Sequence, residues 1–291
     1  MELWFLYVVG AAVFAALTTV LAKIGIKNVD SHLATAIRTM VVLIFAWVMV
    51  FVVGSQYGIR YIQGTTWIFL ILSGLATGGS WLCFFRALQL GNVNKVVPID
   101  KSSTILTMVL AFIFLSEPMR LVTMIGMMLI GIGTWLMLEL KKGVGNGEEK
   151  PNRSWLIFAL LAAVFASLVA IFGKIGVAGI DANLWTAIRT MVVVPLSWIM
   201  VFMAGSHRMI KTVDRKSWVF LVLSGVATGA SWLFFYHALQ IGNASLVVPI
   251  DKLSIVLTMG FARLFLGERF SLRSIVGLGL LTVGTLLPVF L

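Results

Sequence analysis

Ionisable residues recur inside segments too apolar to lie in water. Asp and Lys stand side by side in VVPIDK at residues 96–101 and again at 247–252, as Asp100–Lys101 and Asp251–Lys252. A lysine lies late in the first apolar run of each half, Lys23 and Lys174, and an arginine sits in the next run, Arg38 and Arg189. A charge at the centre of a bilayer costs from about 2.5 kcal/mol upward, so such side chains turn toward an interior cavity or toward each other. Together these positions hold six basic and two acidic groups. That excess suits an anionic or zwitterionic ligand better than a cation. Asp100 and Asp251 are the groups that could exchange a proton, since apolar surroundings raise a carboxylate pKa while a neighbouring Lys or Arg lowers it. Trp81 and Trp232, in SWLCFF and SWLFFY, are flat surfaces on which an organic body could pack. The expected binding set is therefore Lys23, Arg38, Trp81, Lys101, Lys174, Arg189, Trp232 and Lys252, with Asp100 and Asp251 as candidates for ion coupling.

Purely structural readings stand beside these. Arg38 could pair with Asp100 and Arg189 with Asp251, fastening helices and nothing more. That would still leave four lysines without a nearby carboxylate, because Glu117 and Glu268 read as loop residues at span ends. Pro98 and Pro249 either kink their helices or sit in a first helical turn; the sequence leaves both open. Arg86 and Arg263 lie near span ends, where a long side chain can snorkel to the headgroups. GLATG at 74–78 and GVATG at 225–229 have the spacing of closely packed helices.

The elements that must position these residues follow from composition. The 291 residues are 60% hydrophobic and 11% charged, with a mean hydropathy of +1.05. A soluble domain carries about 25% charged residues, so the class is an integral membrane protein. Ten segments are long enough to span, near 4–26, 33–53, 67–89, 93–115, 119–140, 154–177, 182–204, 217–240, 244–266 and 271–290. They do not alternate polar and apolar residues, which excludes a transmembrane barrel. The N-terminal run has no basic flank and reads as a retained helix rather than a signal peptide. No CxxC, HExxH or His/Cys cluster occurs, and His32, His207 and His237 are far apart, so no metal or other cofactor is expected. The basic residues make no continuous stripe of the kind that binds nucleic acid.

The chain is also a duplication. ATAIRTMVV at 34–42 matches WTAIRTMVV at 185–193, SGLATGGSWLCFF at 73–85 matches SGVATGASWLFFY at 224–236, and ALQLGN at 87–92 matches ALQIGN at 238–243. The offset is a constant 151 residues from Lys23/Lys174 to Glu117/Glu268. The expected organisation is an all-α membrane protein with a five-helix repeat at 1–140, a polar linker at 141–153 and a second repeat at 154–291. Five spans is an odd number, so the second repeat runs inverted, the plan of many transporters whose site lies between the halves near the midplane. Arg60 and Arg120 are the clear basic loop residues on the N-terminal side, against twelve on the other, among them Lys141, Lys142, Arg208 and Lys211. By the positive-inside rule both termini lie outside a cell membrane.

These segments resemble the drug/metabolite transporter superfamily, EamA type, over essentially the whole chain. The strongest stretch is ALQIGNASLVVPIDKLSIVLTMGFARLFLGERFSLRSIVGLGLLTVGT, with LGER between spans nine and ten. The first copy reads FLSEP, with Ser116 in place of the glycine and Pro118 in place of the basic residue. The family's first-span lysine falls on Lys23 and Lys174, and its second-span arginine on Arg38 and Arg189. The resemblance implies ten helices in two inverted repeats, a central cavity and alternating access, with small metabolites as cargo and export often coupled to protons. The likeness of the halves matches half-length members of the family that pair in opposite orientations. Ten-span relatives commonly keep their termini in the cytoplasm, opposite to the charge bias here. Asp–Lys after Val-Val-Pro-Ile is not a general feature of the family.

The expected function is a secondary transporter, not an enzyme, of a small anionic or zwitterionic metabolite, with protons as the candidate coupling ion. The alternatives are a multidrug or cationic-metabolite exporter and a flippase of a lipid-linked anion. Expected partners are the substrate, membrane lipid and protons, with the chain as a monomer or homodimer and no nucleic acid.

Overall fold

Every regular element in the computed structural model of the chain is helical; it describes residues 3–26, 29–90, 99, 102–137, 154–266 and 272–291. The described helices are α1 (Leu3–Gly25), α2 (Ser31–Val53), α3 (Gly64–Leu90), α4 (Ser103–Leu115), α5 (Leu121–Met137), α6 (Ser154–Val177), α7 (Ala182–Met203), α8 (Arg215–Ile241), α9 (Ala244–Lys252), α10 (Ser254–Leu266) and α11 (Leu272–Phe290). Seven segments among the described residues are long and apolar enough to cross a membrane; three further apolar helices are shorter. Ile44, Val48, Phe51 and Val52 on α2 are more than half exposed, a surface suited to hydrocarbon rather than water.

Helix ends follow the duplication. Asp30 opens α2 by accepting from the N–H groups of His32 (3.0 Å) and Leu33 (3.2 Å). Asp181 opens α7 in the same way through Asn183 and Leu184. Gly54 (φ 80°) and Gly205 (φ 71°) take the left-handed conformation that turns the chain after α2 and α7 into short 3-10 segments.

The main packing joins one half to the other. α1 packs on α8, α3 on α6, α2 on α7 and α5 on α11. The bonds across these seams come in pairs offset by 151 residues. Ser80 donates to the Ala162 carbonyl (3.1 Å), and Ser231 to that of Ala11 (2.9 Å). Ser73 donates to Val169 (3.4 Å), and Ser224 to Thr18 (2.9 Å). Gly74 and Gly78 lie against Val192 and Leu196 of α7, and Gly225 and Gly229 against Val41 and Phe45 of α2; a Cβ at any of the four would fall 2.5–2.6 Å from its neighbour. The GxxxG segments are thus close-packing surfaces, as their spacing predicts.

The second VVPIDK does not lie in one continuous helix. Pro249 sits in the interior of α9, where it deletes one backbone donor, and the helix breaks at Leu253 directly after Asp251–Lys252. There the Leu253 N–H takes the tighter bond to Ile250 (2.9 Å); Ser102 does the same to Ile99 (3.2 Å) in the first copy. Of the two readings of the prolines, the second copy follows the interior one. Pro98 lies outside the described residues.

At the α5–α11 seam the two backbones touch. A Cβ on Gly133 would lie 2.6 Å from the Gly277 carbonyl and the Leu281 nitrogen, whereas one on Gly279 meets open space. Gly133→Ala is expected to lower stability by about 1–3 kcal/mol, and Gly279→Ala to raise it by about 0.5–1 kcal/mol. Thermal unfolding in detergent checks both signs.

Candidate functional site

A cavity with two lobes lies between the halves. One lobe, about 470 Å³, is walled by Thr35, Arg38, Thr39 and Thr228 among others. The second, about 330 Å³, is walled by Thr77, Thr107, Arg189, Ser231, Tyr236 and Asp251. Ser80, Trp81, Ser103, Ala166, Trp232 and Lys252 line both, so the two adjoin along a shared wall.

The arginines are placed by the caps described above. Arg38 and Arg189 each follow their capping aspartate by eight residues, about two turns or ~12 Å into the helix. Arg38 donates from Nη2 to the Thr228 hydroxyl (3.0 Å). Arg189, only 2% exposed, donates from Nε to the Ser73 hydroxyl (3.0 Å) and from Nη2 to that of Thr77. Its guanidinium carbon also lies 5.1 Å from the ring centre of Trp232 and 5.4 Å from that of Tyr236. Trp185, fully buried, meets Tyr236 edge-on at 5.9 Å and holds it in place. Hydroxyls and rings solvate these cations without neutralising them. Arg38 Nε and Arg189 Nη1 are buried with no hydrogen-bond partner among the described residues.

The alternative in which Arg189 pairs with Asp251 is not what the described residues form. Asp251 stands beyond a proline at the helix break and lies 3.7 Å from the ammonium of its own neighbour, Lys252. Arg189 meets hydroxyls from α3 instead. Among the described residues lining the cavity, Arg38, Arg189 and Lys252 outnumber Asp251. A buried cation with open donor positions is costly unless an anion completes it.

Of the expected site residues, Arg38, Trp81, Arg189, Trp232, Asp251 and Lys252 come together on this wall. Lys174 lines neither lobe. Its ammonium donates to the carbonyls of Leu239 and Gly242, both at 2.7 Å, at the C-terminal end of α8. Asp100, Lys101 and Glu268, and the side chain of Lys23, lie outside the described residues. So does the linker.

Glu117 lies in the loop between α4 and α5, as expected, but the loop turns it inward rather than out to solvent. It is 7% exposed, and its carboxylate accepts from the N–H groups of Ala244 (2.7 Å) and Ser245 (2.9 Å), which open α9. Ser116, left-handed at φ 54°, turns the chain so that Glu117 points inward. The hydroxyls Ser73, Thr77 and Thr228 were also missed as arginine partners. All three lie inside the repeated SGLATGGS/SGVATGAS segment, where their recurrence was the available signal.

A family model described as the EamA-like transporter family matches residues 2–139 and again 153–290. An uncharacterised transporter from the cobO 3′ region of a Sinorhizobium species is 43% identical over 136 residues, 47% of this chain and 96% of the relative. An uncharacterised protein of Methanocaldococcus jannaschii is 27% identical over 132 residues, 45% of this chain and 93% of the relative. Each of these relatives has the length of one half. One crystal structure of a protein with 15% identity superposes on 96% of this chain and 94% of its own, with a TM-score of 0.74. At that identity the likeness concerns the fold alone.

The contacts of Lys174 separate support from binding. Lys174→Met leaves two terminal carbonyls of α8 without their donor and is expected to cost about 1–3 kcal/mol of stability. Ligand affinity of the folded fraction should change less than threefold. Thermal unfolding and a binding isotherm on the same preparation decide it.

Proposed function

The chain belongs to the EamA-like transporter family, and from that premise we propose that it is a secondary transporter of a small anionic or zwitterionic metabolite. The observation that carries this reading is the pair of guanidinium groups, one from each half, on the wall of a shared cavity. Each keeps a buried nitrogen unpartnered, and Arg189 meets no carboxylate among the described residues. In this reading ten spans form two inverted five-helix repeats that rock about the cavity. The charge bias of the loops puts both termini outside the cell membrane.

Each residue has a role that its surroundings suit. Arg38 and Arg189 attract and fork onto the anionic group, a geometry that guanidinium suits, and Lys252 adds a point charge beside them. Trp81 and Trp232 flank the organic body. The hydroxyl oxygens of Thr35, Thr39, Thr228 and Ser231, whose protons go to backbone carbonyls, can accept from its N–H or O–H groups. Asp251, with Asp100 as its counterpart, is the candidate for proton coupling, because it reaches the same wall as the cations.

A thermal-shift screen tests the charge preference. A ligand at a hundred times its Kd adds about 2.7 kcal/mol of stability. Carboxylates or phosphate esters are expected to stabilise the protein and quaternary amines are not. Arg38→Gln/Arg189→Gln should weaken the response at least tenfold, or about 1.4 kcal/mol. Stabilisation by amines that survives in the double variant would move the assignment to a cation exporter. For the ligand so found, Asp251→Asn is expected to flatten the pH dependence of its flux in proteoliposomes; an unchanged profile removes Asp251 from coupling.

A further inference from the structure

Glu117 reaches across the boundary between the halves. It stands on the α4–α5 connection of the first half, and both its carboxylate oxygens are taken by the amides that open α9 in the second. Lys174 holds the carbonyls of Leu239 and Gly242 just before them. The two side chains grip either flank of the turn at Gly242–Asn243, the cation on the negative end of α8 and the anion on the positive end of α9. The far end of α9 carries Asp251 and Lys252 to the cavity wall.

A separate cavity of about 390 Å³ lies at this end, lined by Trp4, Phe5, Arg120, Asn243, Ser245 and Phe290 among others, and none of its lining residues lines the two lobes between the halves; α9 runs from it, at Ser245 and Leu246, to the central cavity, at Val248 and Asp251. Trp4 packs against Gly242, and Phe5 meets Phe290 edge-on at 6.5 Å. The wider lobe instead runs to Thr35 in the first turn of α2, at the opposite end. Any motion of one half against the other that opened the Glu117 end would have to part this carboxylate from α9.

Resting on the alternating-access reading, we propose that Glu117 is a positioning residue of the transport cycle: an inter-half latch that holds α9 and keeps the central cavity shut at this end. Its two bonds are charge-assisted and shielded from water, so they hold firmly while made. They are also few, so a single local event can release them.

The test is sided accessibility in proteoliposomes. In a Cys83→Ser background, Ser103→Cys reports the cavity and Arg120→Cys identifies the Glu117 face. A membrane-impermeant maleimide should label Ser103→Cys mainly from the other face. Two lesions attack the latch from opposite partners. Glu117→Gln keeps the shape but offers one neutral acceptor to two amides. Ala244→Pro deletes an amide at the first helical position, where proline is tolerated and where Asn243 already has the extended backbone that precedes it (φ −72°, ψ 136°).

Each is expected to raise labelling from the Glu117 face at least tenfold, with Glu117→Asp in between. A purely structural cap would lower stability and leave sidedness alone, and that result overturns the latch. If one lesion prevents folding, the other and Glu117→Asp give the same reading. If Ser103→Cys in the parent protein reacts from neither face, or equally from both, the alternating-access reading fails and takes the latch with it.

Discussion

A guanidinium taken out of water must be met by something, and this architecture is organised around how little meets Arg38 and Arg189. Each receives hydroxyls from a helix of the opposite half, and Arg189 also two aromatic faces. These groups lower the cost of burial without cancelling the charge. The rest follows from that demand. The accepting hydroxyls sit on α3 and α8, which must run close to α7 and α2. Glycines at 74, 78, 225 and 229 permit the approach. The serines of the same segment spend their own protons on carbonyls across the next seam. One stretch, SGLATGGS and its copy, thereby sets helix spacing, inter-half bonding and the environment of the charge.

The halves are related but not equivalent in this state. Arg189 is enclosed, with two hydroxyls and two aromatic rings about its guanidinium, while Arg38 faces the wider lobe. Two copies of one design thus hold two levels of exposure at once.

The membrane class, the duplication and the depth of the charged residues were legible because each is written locally: apolar length, a fixed offset, and position along a span. Arg38, Trp81, Arg189, Trp232, Asp251 and Lys252 were found that way. Direction was harder. Lys174 has the same kind of apolar context as Arg189, yet it turns to the end of α8, which the sequence places 65 residues away. Glu117 was rightly placed in a loop, but its burial was not foreseen, because it depends on amides 127 residues later and no local pattern announces a helix end of the other half. The supposed pair of Arg189 with Asp251 failed for a related reason. A break after Pro249 decides where Asp251 points, and hydroxyls of α3 are nearer to the arginine. Which charged groups share a depth can be read from a chain; which of them share a pocket depends on the seams.

The paired seams bear on how such a chain can change. In a half-length relative that assembles from two copies, one serine would have to make both the bond of Ser80 and that of Ser231, and one residue would have to serve at both Ser116 and Gly267. Every substitution would be entered twice. Fusion gives each position its own codon, so a site facing one end can be tuned while its counterpart keeps its original work. Arg86 against His237, and Phe112 against Arg263, are positions where the copies have already parted.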